Sequence, residues 1–331
     1  MPSNLDVNRY GVAFVPVTTG ALEAGSMLVS NFNNSGNLQG TGTTIVEVSP
    51  GGPLKTFAQI SAAELPGPCP GGAGLTTALT ARLSGYVISG SLPTADGSAA
   101  TAQAGCLIVL DHNGKPVMTL SGNRINGPWD MATLDLGVSA VLFVSNVPNG
   151  PVVSMDGGVV NDGTVLRIVL FTPLIGNPVE IAPRTVIASG FGERTDPNAL
   201  VIGPTGLGLS FDGRLFVADT LGNRIQAIAT PLFRQNSDGT GSTVSQNGAF
   251  NGPLGLCIAP NGDILTVNSG DGNMVEITPG GSQVAVKAVD LSEQGAGTLF
   301  GLAIGLKGVY YGVTATTSWT CGISAYAKPS I

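Results

Sequence analysis

Gly203-Pro204-Thr205-Gly206-Leu207-Gly208-Leu209-Ser210-Phe211-Asp212-Gly213-Arg214-Leu215-Phe216-Val217-Ala218-Asp219-Thr220-Leu221-Gly222-Asn223-Arg224-Ile225-Gln226-Ala227-Ile228 reads as strand, turn, strand, turn, strand. Leu207, Leu209 and Phe211 alternate with small or polar residues, the period of a strand with one buried face. Asp212-Gly213 supplies a hairpin turn containing a residue able to take positive φ. Leu215-Phe216-Val217, then Ile225 and Ala227, carry the apolar pattern onward.

A second copy follows. Gly252-Pro253-Leu254-Gly255-Leu256-Cys257-Ile258-Ala259-Pro260-Asn261-Gly262-Asp263-Ile264-Leu265-Thr266-Val267-Asn268 keeps Gly-Pro-x-Gly-Leu, the Asx-Gly turn and a polar residue closing the second strand. Gly206, Gly255 and Gly301 are 49 and 46 residues apart, room for four short strands per repeat. Val46-Glu47-Val48-Ser49-Pro50-Gly51-Gly52 is echoed by Val275-Glu276-Ile277-Thr278-Pro279-Gly280-Gly281. The first unit resembles the NHL repeat, in which Pro-x-Gly and three apolar residues lead to Asp-Gly, then to Val-Ala-Asp and Gly-Asn-x-Arg-Ile. The resemblance implies an all-β fold, a six-bladed β-propeller with blades of three to four antiparallel strands.

Six such units span the 331 residues as one domain, at about 10–58, 75–121, 126–189, 203–249, 250–288 and 299–327. In the third, strands are expected over 129–134, 140–146, 164–170 and 185–188. The sixth lacks room for a fourth strand, so the ring closes either with help from Asn4 to Asn8 or with a three-stranded blade. No convincing helix is found. The Gly-, Pro-, Asn- and Ser-rich stretches 31–42, 59–74, 91–105, 147–163 and 233–248 read as loops, most of them on one face, the top.

Composition limits the partners. A net charge of −7 argues against nucleic acid, which demands a basic surface. No window approaches the roughly 18 apolar residues of a membrane-spanning helix. Charged residues make up 11% and glycines number 49 of 331, which fits stacked strands and turns. The single His112 falls in an outer hairpin turn on the face opposite the top, away from any catalytic grouping. Neither a nucleophile elbow nor a phosphate-binding loop is present, and no nucleotide, flavin or haem is expected.

Asn31, Asn146, Asp219 and Asn268 each close the second strand of a blade and are expected near the channel mouth. Four oxygen-bearing side chains there could hold Ca²⁺ or another divalent cation, or simply form turns. Asn126-Gly127-Pro128-Trp129-Asp130 and Asn251-Gly252-Pro253-Leu254 enter inner strands. Their Asn-Gly-Pro pattern is similar to the site loops of the gluconolactonase and senescence-marker-protein propellers. That resemblance implies Asn126 and Asn251 as ligand-binding residues and Asp219 or Asp130 as the acid or base of a metal-assisted hydrolase or lyase. The early Glu of that family has no counterpart in Tyr10-Gly11-Val12-Ala13-Phe14. Trp129 and Trp319 either line a ligand funnel or pack between blades.

Cys69 and Cys106 are the best-placed disulfide pair, leaving Cys257 as a buried thiol and Cys321 unmatched. Few lysines and an Asn-, Thr- and Gly-rich surface fit a secreted or periplasmic protein whose signal peptide has been removed. The favoured reading is an exported monomer that binds a small molecule, glycan or protein partner through its top-face loops. The lactonase-type enzyme is the alternative.

Overall fold

The computed structural model describes residues 2–49, 52–148, 158–173, 176–290, 299–305, 309–314 and 324–327. The first sheet runs β1 (Val7–Phe14), β2 (Met27–Asn33), β3 (Thr44–Val48) and β4 (Leu54–Gln59) from the centre outward. The second repeats that order with β5 (Leu75–Ala81), β6 (Val87–Ser91), β7 (Cys106–Leu110) and β8 (Pro116–Ser121). The third contains β9 (Pro128–Asp135), β10 (Ser139–Asn146), β11 (Val160–Phe171), β12 (Val179–Glu180), β13 (Thr185–Asp196) and β14 (Leu200–Ile202). The fourth is β15 (Pro204–Leu209), β16 (Leu215–Asp219), β17 (Arg224–Ile228) and β18 (Ser242–Gln246). The fifth is β19 (Pro253–Ile258), β20 (Ile264–Asn268), β21 (Asn273–Ile277) and β22 (Gln283–Ala288). A last, three-stranded sheet holds β23 (Leu299–Ile304), β24 (Val309–Thr314) and β25 (Ser324–Ala327).

This is an all-β propeller, with five complete blades of four or more strands and the three-stranded sheet between the fifth and the first. Inner strands touch in ring order, β1 to β5, β5 to β9, β9 to β15, β15 to β19, β19 to β23 and β23 back to β1. Because each sheet is apolar on both faces, the core is divided into slabs between neighbouring sheets rather than gathered at one centre. Leu28 and Ile45 meet Leu79 and Ile108 between the first and second sheets. Phe216 and Ile225 meet Leu256 and Val275 between the fourth and fifth.

Glycine on the inner strands permits their close approach. A Cβ at Gly206 would strike the carbonyl of Leu254, one at Gly255 that of Phe300, and one at Gly301 would sit 2.5 Å from the carbonyl of Tyr10. Hydroxyls bridge other strand pairs. Ser30 Oγ donates to the Thr76 carbonyl at 2.8 Å, Thr76 Oγ1 to that of Pro128 at 2.7 Å, and Thr220 Oγ1 to that of Pro253 at 2.7 Å.

Two expectations need correction, on the third sheet and on Phe211, and of the two ways of closing the ring the described residues show the three-stranded last sheet. Residues 4–8 do not complete the last sheet: Val7 and Asn8 belong to β1, and Asp6 Oδ2 accepts from Thr43 N and Thr44 Oγ1, both at 2.8 Å. The third sheet's outer strands are twelve residues long, well beyond the four- and seven-residue segments expected. Phe211 does not extend the inner strand; it lies at the hairpin tip, 82% exposed. Two one-turn 3-10 helices, Ala62–Glu64 and Ala99–Thr101, punctuate the loops, each capped by a serine.

Candidate functional site

The top end of the channel is closed by side chains. Tyr10 of β1 stacks between Phe32 of β2, 4.3 Å away, and Phe300 of β23, 3.9 Å away. Trp129 of β9 stands edge-on to Tyr10 and Phe32 at 5.9 and 5.6 Å. Leu92, Val147, Leu200 and Val201 complete this cluster. Burial holds the Tyr10 hydroxyl far above the usual phenol range.

Leu200 and Val201 come from an element that other blades lack. The last residues of β13 turn back as β14, pairing Arg194 with Ile202, Thr195 with Val201 and Asp196 with Leu200, before the chain enters β15. The resulting hairpin lies over the mouth. Gln39 Nε2, in a first-sheet loop, donates to the Pro197 carbonyl at 2.9 Å. Thr94 N, in a second-sheet loop, donates to the Gly40 carbonyl at 3.0 Å. Loops from three sheets therefore interlock above the aromatic cluster.

Below it lies Asp130. One carboxylate oxygen accepts from Met131 N at 2.8 Å. Burial raises its pKa to about 7, backbone hydrogen bonding only partly opposing the shift. Thr77, Trp129, Thr205, Leu254 and Phe300 line the space around it. The room open to the centre of a water molecule is about 10 Å³, roughly what one ordered water requires. Pockets for small organic molecules run to about 300–1,000 Å³.

The four second-strand residues are bonded within their own blades. Asn31 Nδ2 donates to the Thr44 carbonyl at 3.2 Å. Asn146 Oδ1 accepts from the amides of Asn126 and Gly127 at 2.8 and 2.9 Å, which makes Asn126 a backbone partner in a turn. Asp219 pairs with Arg224 Nε at 2.8 Å and accepts from Gly222 N at 3.1 Å. Asn268 Nδ2 donates to the Ala249 carbonyl at 2.9 Å and to Asp271 Oδ1 at 3.1 Å. No group of three or more His, Cys, Asp or Glu suited to a metal ion occurs among the described residues. With both Asp219 oxygens and Asn146 Oδ1 engaged, the quartet does not make a fitting cation site.

Asn251 sits on the exposed loop entering β19, its carbonyl accepting from Gly270 N at 2.9 Å. Trp129 is buried at the channel mouth; Trp319 lies outside the described residues, as does Cys321. Cys69 and Cys106 form a disulfide and Cys257 is a buried thiol. His112 occupies the exposed turn between β7 and β8. Sequence reasoning missed Tyr10, Phe32, Phe300 and the β13–β14 hairpin; the turn signal Asp196-Pro197-Asn198 before Leu200-Val201-Ile202 was the available clue.

No family model matches the chain, and no curated protein is similar to it in sequence. Solved structures are similar in fold. A gluconolactonase from Xanthomonas campestris superposes with a TM-score of 0.59 at 14% identity, over 94% of this chain and 84% of that one. A calcium-binding regucalcin from Agrobacterium tumefaciens gives 0.54 at 14% identity, over 93% and 82%. A virginiamycin B lyase from Staphylococcus aureus gives 0.51 at 14% identity, over 94% and 79%. At such identities the likeness concerns the fold alone.

Proposed function

We propose that this chain is an exported, six-bladed propeller of the NHL type that binds a small molecule, glycan or protein partner through its top-face loops. The observation that carries this reading is the interlocked loop layer over a cavity beside Asp130 with room for about one water. Chemistry on a substrate of lactone size has no space at Asp130 as the channel stands, whereas the loops present polar backbone and side chains on a rigid ring. Counting the three-stranded sheet as a blade, the closed order of inner-strand contacts supports six. The Cys69–Cys106 disulfide fits an oxidising compartment.

The enzyme alternative, a metal-assisted hydrolase or lyase, draws support from Asp130: a carboxyl raised to about 7 on a channel wall is suited to moving a proton. Asp219 fits that role less well, being tied to Arg224. To separate the readings, the protein is tested on a glycan array and a thermal-shift library of small molecules, and in parallel on lactones and esters with Ca²⁺, Zn²⁺ or Mn²⁺. Saturable binding without turnover, and a melting temperature equal in EDTA and millimolar Ca²⁺, is expected. Turnover that Asp130→Asn abolishes in a folded protein would overturn the binding reading.

A further inference from the structure

The hairpin over the channel mouth differs from an ordinary connecting loop in three respects. Its buried residue Leu200 has φ of +65°, a left-handed conformation that a bulky side chain rarely adopts and that only the surrounding contacts can hold. Its turn is prebuilt, Asp196 Oδ1 accepting from Asn198 N and Ala199 N at 2.8 and 3.1 Å, with Oδ2 paired to Arg194 at 2.8 Å. Its tip is tethered across the mouth by a side-chain hydrogen bond from Gln39.

Beneath and beside it are buried polar atoms without a protein partner. The Tyr10 hydroxyl is fully buried and forms no hydrogen bond of normal geometry, the Asn8 side chain being the polar group next to it. Asn8 Oδ1 and Gln39 Oε1 are likewise buried and unpartnered. The Asp196 carboxylate is near enough to push the Tyr10 hydroxyl's pKa further upward. Hydroxyl apart, these are acceptors, set against aromatic rings. With Asp196 already paired to Arg194, the neutral acceptors call for a ligand that brings hydrogen-bond donors beside an apolar ring.

We infer that the β13–β14 hairpin is a lid over a binding site walled by Tyr10, Phe32, Trp129 and Phe300, and that its ligand is an amine bearing a planar apolar ring. The ring takes the place of Leu200 and Val201 against the aromatic walls. The ammonium group donates to Asn8 Oδ1 and Gln39 Oε1 beside Asp196. Lifting the hairpin removes two apolar side chains from the cluster and joins the opened space to the small cavity below, whose walls include Trp129 and Phe300. The chain's net charge of −7 favours a cationic ligand at encounter. This inference rests on the reading that the top face binds ligands, and it names where and of what class.

The probe is 2-phenylethylamine, with benzyl alcohol and ethylamine as ring-only and amine-only controls. Binding is followed by Trp129 emission in a Trp319→Phe background and by amide hydrogen exchange over 194–202 in the unsubstituted chain. Saturable binding of 2-phenylethylamine, at least tenfold tighter than either control, is expected, with a change in Trp129 emission and altered exchange in the hairpin. Gln39→Ala, which cuts the tether, should speed hairpin exchange, and Leu200→Ala, which removes most of the plug while keeping a side chain strained at positive φ, should tighten probe binding at least threefold by raising the open fraction. No saturable binding in the wild type or in a folded Leu200→Ala protein overturns the inference, as does binding that leaves Trp129 and the hairpin unchanged. If an array or library ligand binds without disturbing either reporter, the lid is wrong while the loop-binding reading stands. Absence of every ligand from both screens removes that reading as well.

Discussion

Asp130 shows how one residue's surroundings replace the role its type suggests. An aspartate following Asn-Gly-Pro-Trp invites a catalytic assignment, yet its carboxylate lies on the wall of a cavity with room for about one water and accepts from the amide of Met131. The cost is borne by its ionised form. Its folded pKa of about 7 lies above the 3.8 of a free side chain, so the stability it contributes is complete below about 4 and is lost as pH rises through 7. The loss is on the order of 2–4 kcal/mol. Chemical denaturation from pH 4 to 8 should therefore show wild type weakening relative to Asp130→Asn across this window, and a constant difference between them would contradict the burial argument. Asp219 illustrates the opposite outcome, because Arg224 and Gly222 occupy the oxygens that a cation would have needed.

At the scale of the strand, backbone proximity between blades is set by what the inner strands lack. Gly255 has no room for a methyl group against the Phe300 carbonyl, and that atom belongs to the backbone of another sheet, so neither side can rotate away. Gly255→Ala should cost about 3 kcal/mol or prevent folding. Gly280→Ala in an outer turn, where the nearest atom is 3.8 Å from the added carbon, should stay within about 0.5 kcal/mol of wild type. Equal effects in urea unfolding would mean that the glycine positions of the repeat are not packing constraints. The same glycines gave the repeat its visible period. The β13–β14 hairpin had no period to reveal it, since it occurs once and departs from the repeat.

For the whole ring, cohesion depends on slabs of apolar contact between sheets, and one covalent link reinforces the first of them. Cys69 lies in the loop leaving the first sheet and Cys106 begins β7 of the second, 37 residues later. Closing a loop of that length restricts the unfolded chain by about 2–4 kcal/mol. The Cys69→Ser/Cys106→Ser protein should lose stability by that amount while keeping an all-β circular dichroism spectrum. An unchanged denaturation midpoint would show that the link adds nothing the packing does not already supply.

Alternation, Asx-Gly turns and the recurring Gly-Pro-x-Gly of residues 203–206 and 252–255 are local properties, and they determined the regular blades and the all-β propeller from sequence alone, though not the long strands and extra hairpin of the third sheet. The Cys69–Cys106 pairing was legible because adjacent blades are adjacent in the chain. The closed mouth was not. Tyr10, Phe32, Trp129, Leu200 and Phe300 are separated by up to 290 residues, and only closing the ring brings them into contact. Nor could the sequence tell a metal-binding asparagine from a turn-forming one, because Asn31 and Asn146 have the same local context in either case. What decides is which amides and carbonyls reach their side chains after folding, and those partners belong to the tertiary structure.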